Sequence, residues 1–354
     1  MSVARLKLGV IGAGTWAVAA HLPAFATRDD VEPFIVCRRD TVTLGRIQER
    51  FGFERATTDW REVIAARPDL VVLTGPVGLR AEQARAALEA GAHVLAEKPF
   101  TVTPADAREL DALAAAQGRT LMLCYAWNEM GIVEHARRLL QEDGGVGAVE
   151  HVSVVMGSVV RALLTTGQNY VPTEFDAPPR LETWADPAVS GGGYSTGQLT
   201  HGLGLLFRLI PLRATEVMAF TSAPGATVDL HDAIALRLQG GAIGTVSGTA
   251  LPPGTFGNEH QLQIRVTGDR GQLLLDLDRP LVRRSRGSTD DVTVELSSDD
   301  TLWSFQRVID RFVELAQGQD IENRSPGELG ARVVDVLDGM ARSATTGARV
   351  TIGG

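Results

Sequence analysis

The sequence predicts an α/β chain of two domains. The first is a doubly wound parallel sheet. The second is an α+β domain built on a large, mainly antiparallel open sheet. Three observations predict this. Over residues 6–124, short apolar runs alternate with helical patterns, the signature of a parallel sheet with helices on both faces. The first apolar run feeds a glycine turn, Gly12-x-Gly14-x-x-Ala17, and a helical pattern follows directly. From residue 149 onward strand patterns follow one another with few helices between them, which implies antiparallel pairing.

The elements follow in order. Leu6–Ile11 is the first strand, and Trp16–Thr27 is a helix bent or ended near Pro23. Pro33–Cys37 is a short buried strand, and Leu44–Phe51 is a helix that Gly52 can close. Asp59–Ala66 is a helix capped by Thr58 or Asp59, followed by the strand Leu70–Thr74. Leu79–Ala90 is an alanine-rich helix before Gly91, and His93–Ala96 is a strand. Thr103-Pro104 opens a helix with cap chemistry and proline at the first position; Leu121–Cys124 is the fifth strand. A boundary near Tyr125–Asn128 divides the chain into 1–126 and 127–354. Met130–Glu142 is an amphipathic helix. Strands are expected at Val149–Val160, Glu216–Ser222, Ala233–Leu238, Gly244–Ala250, Gln261–Thr267 and Gln272–Leu277. Helices Leu302–Ala316 and Leu329–Ala344 close the chain.

Composition narrows the function classes. The chain has 354 residues, is 44% hydrophobic and carries a formal charge of −9. That balance argues against broad nucleic-acid or anionic-membrane binding. No apolar run approaches the ~20 residues of a membrane span. Cys37 and Cys124 have no metal-ligand spacing and read as reduced, buried thiols; no metal site is expected. The N-terminus enters its first strand too soon for a signal peptide, so a cytoplasmic location is expected.

The glycine turn has the chemistry of a dinucleotide site. Gly12 permits the tight turn, Gly14 lets backbone N–H groups approach a pyrophosphate, and Ala17 lets helix pack on strand. The helix start, with Thr15 and Trp16, offers N–H groups and a positive dipole end to the phosphates. On such sheets ligands bind at the carboxyl ends of the strands, so the loops after Ile11, Cys37, Thr74, Ala96 and Cys124 should share one site. An acidic residue ~20 residues past the glycines would accept bonds from a ribose 2′-OH. Here the second strand ends Arg38-Arg39-Asp40. A guanidinium fork suits a 2′-phosphate, which favours NADP over NAD. The alternative is a pair of solvated arginines with Asp40 as a displaced ribose ligand.

The glycine turn, Ala19–Pro23 (A-A-H-L-P), Thr74-Gly75-Pro76 and the run from Ala81 through Glu97-Lys98-Pro99 resemble the glucose–fructose oxidoreductase / inositol dehydrogenase family, Gfo/Idh/MocA. Gly191–Gly193, His201 and Val266–Leu275 are similar to its second domain. The resemblance implies a Rossmann domain, a nicotinamide cofactor and a dimer or tetramer formed through the open sheet. It places Lys98 beside the nicotinamide and the substrate hydroxyl, with Glu97 holding it and Thr74, Gly75 and Pro76 lining the cofactor. A lysine partly buried near a cationic nicotinamide has its pKa pushed down, which suits proton relay. Without the resemblance, an exposed Glu-Lys turn of little energetic consequence is the preferred reading.

In the second half, Tyr125, Trp127 and Asn128 emerge from the last parallel strand as a substrate wall; the two aromatics would equally seal the domain junction. Leu163–Ser190 is a long polar, proline-rich stretch of the kind that forms lids or binding loops. Trp184 within it would stack on the C–H face of a ring, and Arg161, Asn169 and Arg180 are candidate polar contacts. Ser195–Ile210 is a helix with Leu199, Leu203, Leu206 and Ile210 on one side and His201 near its start. The family carries a carboxylate four residues before this histidine; here that position is Gly197, and the nearest polar substitute is Gln198. Arg80 likewise stands where many relatives have histidine. Gln198 can orient a hydroxyl but cannot take its proton. A histidine near neutral pKa can, although a packed helix histidine is the competing reading. The expectation is an NAD(P)-dependent dehydrogenase or reductase acting on a ring hydroxyl or ketone of a sugar, cyclitol or glycoside. Lys98 and His201 would handle the proton. Three rivals stay open: a cofactor-binding regulator that has lost its chemistry, a redox-neutral enzyme that oxidises a glycoside transiently to cleave it, and an imine or aldehyde reductase.

Overall fold

The computed structural model describes residues 5–168, 175, 181–255, 260–287 and 289–353. Six parallel strands form the first sheet: β1 (Leu6–Ile11), β2 (Val31–Cys37), β3 (Arg55–Thr57), β4 (Leu70–Leu73), β5 (His93–Ala96) and β6 (Leu121–Leu123). Their order is β3-β2-β1-β4-β5-β6, a doubly wound sheet whose order reverses beside β1. β2 begins earlier than expected. Pro33, which has no N–H to donate, is tolerated because the register with β1 slips between Leu8 and Gly9. The three-residue β3 was too short to show any periodicity.

The first helix does not stop at Pro23. A π-helical turn, Ala17–His21, leads into α1 (Leu22–Phe25), and the Leu22 N–H reaches the Ala17 carbonyl. The widened turn takes up the ring and the missing N–H of the proline. α2 (Thr41–Phe51), α3 (Trp60–Ala65), α4 (Val77–Glu89) and α5 (Pro104–Ala116) complete the layers. Asp40, Asp59 and Thr103 cap α2, α3 and α5 with side-chain oxygens.

Beyond α6 (Gly131–Gln141) lies the second sheet. It contains β7 (Val149–Ser158), β8 (Ala214–Ser222), β9 (His231–Leu238), β10 (Ile243–Ala250), β11 (His260–Gly268), β12 (Gly271–Asp276), β13 (Leu281–Ser285), β14 (Val292–Thr293) and β15 (Val350–Thr351). Its pairings are antiparallel except for β7 with β10. Between β7 and β8 come α7 (Arg161–Thr166), α8 (Glu182–Ala185) and α9 (Pro187–Ser190). A second π-helical turn (Ser195–Leu199) then runs into α10 (Thr200–Leu209). One sheet face is buried through Val152, Val154, Ile234, Leu236, Val246 and Ile264. The other is bare, and Val155, Met218, Phe220 and Ile243 are exposed on it.

The chain's end returns to the first sheet. α11 (Ser298–Thr301) forms on a capping box between Ser297 and Asp300, so the following helix, α12 (Gln306–Ala316), starts four residues later than expected. Phe305, Val308, Ile309, Phe312 and Val313 share a core with Leu8, Val10, Val18, Leu22 and Phe25. The Leu123 N–H donates to the Ser325 carbonyl at 2.8 Å, and α13 (Gly327–Thr346) packs on α5. Residues 305–313 thus add apolar side chains to a core that α1 and α2 already share with the first sheet.

Candidate active site

The loops after β1, β2 and β4 meet at the glycine turn. Gly12 has φ +91°, and a Cβ there would lie 2.4 Å from the Gly75 nitrogen. Only glycine allows both that conformation and that approach. The Gly12 and Ala13 N–H groups donate to the Cys37 carbonyl at 3.0 and 3.1 Å. The Thr74 hydroxyl donates to the Gly12 carbonyl at 2.8 Å, and Pro76 begins α4 from an exposed position. Arg38 donates through Nη1 to the Ala13 carbonyl at 2.6 Å, with Nε 3.7 Å from Asp40. Burial lowers its pKa, against the pull of Asp40. Arg39 is exposed. Both Asp40 oxygens accept from the first N–H groups of α2, at 3.3 and 3.2 Å. A Cβ at Gly14 would meet only the Gly12 carbonyl, at 3.6 Å, so the backbone is open on that side. A tight turn, an open glycine and a following helix start fit a dinucleotide pyrophosphate.

At the end of β5, Glu97 is buried and fully engaged. Its Oε1 accepts from Trp16 Nε1 at 2.9 Å and lies 2.8 Å from His21 Nε2; its Oε2 accepts from the Lys98 N–H at 3.1 Å. Burial alone would raise this carboxyl. The His21 hydrogen bond and the charges of His21, Lys98 and Arg80 outweigh it, and the net shift is downward. His21, Glu97 and Cys124 present ligand-type atoms within 4.8 Å of one another, but the shared Glu97 oxygen already serves two nitrogens. Phe305 packs edge-on to His21, with centroids 4.5 Å apart, and closes this knot from the chain's end.

Lys98 donates from Nζ to the Gly197 carbonyl at 2.7 Å, inside the π-helical turn that precedes α10. Burial pushes its pKa down, and Arg80 adds to the shift against the opposing charge of Glu97. His201 lies four residues beyond Gly197. Burial, then Lys98, then His260 hold its pKa well below the usual histidine range, so its imidazole is neutral. Trp127 packs between two imidazoles, its ring centroid 5.1 Å from that of His201 and 5.3 Å from that of His260. His260 Nδ1 lies 3.0 Å from the Ser158 hydroxyl, which is 3.2 Å from the Tyr194 hydroxyl. The π-helical turn is anchored by Asp229, which accepts from the Gly193 and Ser195 N–H groups at 2.8 and 2.7 Å. Gly193 is required there, since a Cβ would lie 2.3 Å from the Asp229 carbonyl.

Lys98, Gly197, Gln198, His201 and Trp127 thus gather where the lobes meet, and each is partly accessible. Two expected wall residues do not join them. Tyr125 is buried, its hydroxyl 3.2 Å from that of Thr200 and its ring against Gly204, so it seals the lobe junction. Asn128 is also buried; it donates to the Arg324 carbonyl at 3.3 Å and the Ser325 hydroxyl at 3.1 Å. It bolts the returning segment in place. Trp184 packs against the core from α8, half-buried. Arg161 lies 3.4 Å from His231 and donates to the Pro224 carbonyl. Asn169 and Arg180 lie outside the described residues. Sequence reasoning gave no site role to His21, Asp229 or His260, and named Arg80 only as a departure from the family pattern. His21 was visible inside A-A-H-L-P, whereas His260 had no local signal, because β-sheet register alone brings it to Trp127.

Comparison with known proteins follows this geometry. Residues 6–125 match the family model described as the oxidoreductase family, NAD-binding Rossmann fold, and residues 156–352 match its C-terminal alpha/beta domain. The chain is 29% identical over 273 residues to a dTDP-3,4-didehydro-2,6-dideoxy-alpha-D-glucose 3-reductase of Saccharopolyspora spinosa, covering 77% of this chain and 74% of that one. It is 28% identical to the enzyme of the same name from Streptomyces violaceoruber, covering 97% and 96%. Levoglucosan dehydrogenase in complex with NADH shares the fold, with TM-score 0.78 at 20% identity over 99% of each chain. With both of its domains matched, the chain belongs to the Gfo/Idh/MocA family of oxidoreductases.

Proposed function

We propose that this protein moves a hydride between the nicotinamide of NAD(P) and a ring carbon bearing a hydroxyl or ketone on a sugar, cyclitol or glycoside. The observation that carries this reading is the Lys98 Nζ bond to the Gly197 carbonyl. It brings the amine of one lobe to the helix of the other, one turn before His201. The bound nicotinamide supplies or accepts the hydride. The chain's residues do the rest: Lys98 and His201, whose pKa values burial lowers, exchange the hydroxyl proton, while Trp127 and Gln198 shape the pocket. Relatives named for reducing a dTDP-linked sugar and for dehydrogenating levoglucosan support a carbohydrate substrate.

Two finer parts belong to the reading. Asp40 spends both oxygens on the α2 cap while Arg38 and Arg39 stand at the end of β2, which favours NADP over NAD. The bare face of the second sheet, with Val155 near its centre, is the surface for a homo-oligomer. Buried free Cys37 and Cys124 suit a reducing, cytoplasmic setting. Among the described residues no helix is long and apolar enough to cross a membrane. The decisive experiment is turnover of Lys98→Ala and His201→Ala on a polyol and glycoside panel. Each should fall by about 100-fold. Unchanged rates in both remove the assignment. Tight cofactor binding without turnover in the parent would point to a regulator.

A further inference from the structure

Arg80 is an unusual residue to bury. It sits on α4 at 4% exposure, close behind the Lys98 loop. Its Nη2 donates to the Gly75 carbonyl at 2.8 Å and its Nη1 to the Pro99 carbonyl. One guanidinium thus ties the loop after β4, which abuts the glycine turn, to the residue that follows Lys98. Its Nε has no hydrogen-bond partner among the described residues. A desolvated cation is costly unless it is compensated. The anion near it, Glu97, already serves Trp16, His21 and the Lys98 N–H.

Among the described residues, the titratable groups whose charge acts on the Lys98 amine or is acted on by it are Glu97 on its own loop, Arg80 on α4, Cys124 just after β6 and His201 on α10. Its ammonium has three donors, yet the acceptor it uses, the Gly197 carbonyl, carries no charge. At Gly197 an added Cβ would meet nothing within 4 Å among the described residues, and glycine itself brings no charged group to that position.

We propose that Arg80 is a positioning residue for Lys98, tying its loop to the cofactor cradle and placing a second cation beside the amine so that Lys98 stays neutral enough to accept a proton. The inference deepens the functional reading above, which assigns proton exchange to Lys98. A nearby cation disfavours a protonated amine: burial first lowers the Lys98 pKa and the Arg80 charge adds to that shift against Glu97, while burial lowers Arg80 itself to about 10.

The test reads Lys98 directly and needs no turnover. Competitive acetylation by acetic anhydride, followed by peptide mass spectrometry across the alkaline range, gives the titration midpoint of Lys98 in the full chain. Arg80→Gln should raise that midpoint by about one pH unit, a roughly tenfold loss of labelling below it. Arg80→Lys keeps the charge but cannot span both carbonyls, and it should keep the parent midpoint. Should Arg80→Gln not fold, as judged by circular dichroism, Arg80→His carries the same test at alkaline pH, where imidazole is neutral. An unmoved midpoint in a folded neutral variant overturns the proposal, as does an equal shift in Arg80→Lys. A parent that titrates as expected yet oxidises no carbohydrate would sink the functional reading and leave this one standing.

Discussion

Asp232 offers a quantitative test of how the site's helix is held. It lies on β9, 3% exposed, and neither carboxylate oxygen has a donor among the described residues. Burial first, then the charge of neighbouring Asp229, push its pKa from 3.8 to about 8. Between those values the folded chain holds a proton that the unfolded chain releases. The carboxyl therefore costs nothing below about pH 4, and its cost grows up to about pH 8. At pH 7 the nominal penalty is about 4 kcal/mol, from 1.36 kcal/mol per unit over the interval. Local relaxation should reduce it to about 2 kcal/mol. Asp232→Asn removes the ionisation, and its amide can donate to Asp229, which anchors the Gly193 and Ser195 N–H groups. The expected result is a melting temperature higher by about 3 °C at pH 7, with the gain fading toward pH 4. Differential scanning fluorimetry across pH reads this. A gain that does not depend on pH, or destabilisation at every pH, refutes the reasoning.

Three further outcomes are expected. Gly12→Ala should abolish measurable dinucleotide binding by calorimetry, because its Cβ has 2.4 Å to the Gly75 nitrogen and its φ is +91°; binding within a few-fold of the parent would show that the turn is not the cradle. Arg38→Ala should weaken NADP at least tenfold more than NAD. A parent that already prefers NAD, with an unchanged NADP dissociation constant in the variant, removes the phosphate reading. Val155→Asp places a charge at the middle of the bare sheet face, so sedimentation should show the oligomer dissociating; a parent that is monomeric at micromolar concentration contradicts the interface.

Much of the fold was legible because its signals are local. The glycine turn, the Thr103-Pro104 helix start and the alternation of β9 each fit within ten residues, where backbone sterics and periodicity act directly. The two π-helical turns were not legible: Pro23 lies just beyond one, in α1, and Lys98 reaches into the other from the opposite lobe. Tyr125 and Asn128 show the same divide. Both were expected to emerge at the end of the last parallel strand. Their direction was set by Thr200, Gly204, Arg324 and Ser325, which arrive from more than 70 residues away.

By itself the sequence determined the doubly wound sheet, the loops that gather at its carboxyl edge, and the residue types able to move a proton there. Periodicity, caps and glycine conformation are properties of neighbouring residues, so a linear reading reaches them. Only the tertiary structure decided which groups surround the amine of Lys98: a neutral carbonyl from Gly197, a buried guanidinium from Arg80 and an imidazole from His201. Burial and charge proximity depend on distance in space, and that exists only once the two lobes have packed.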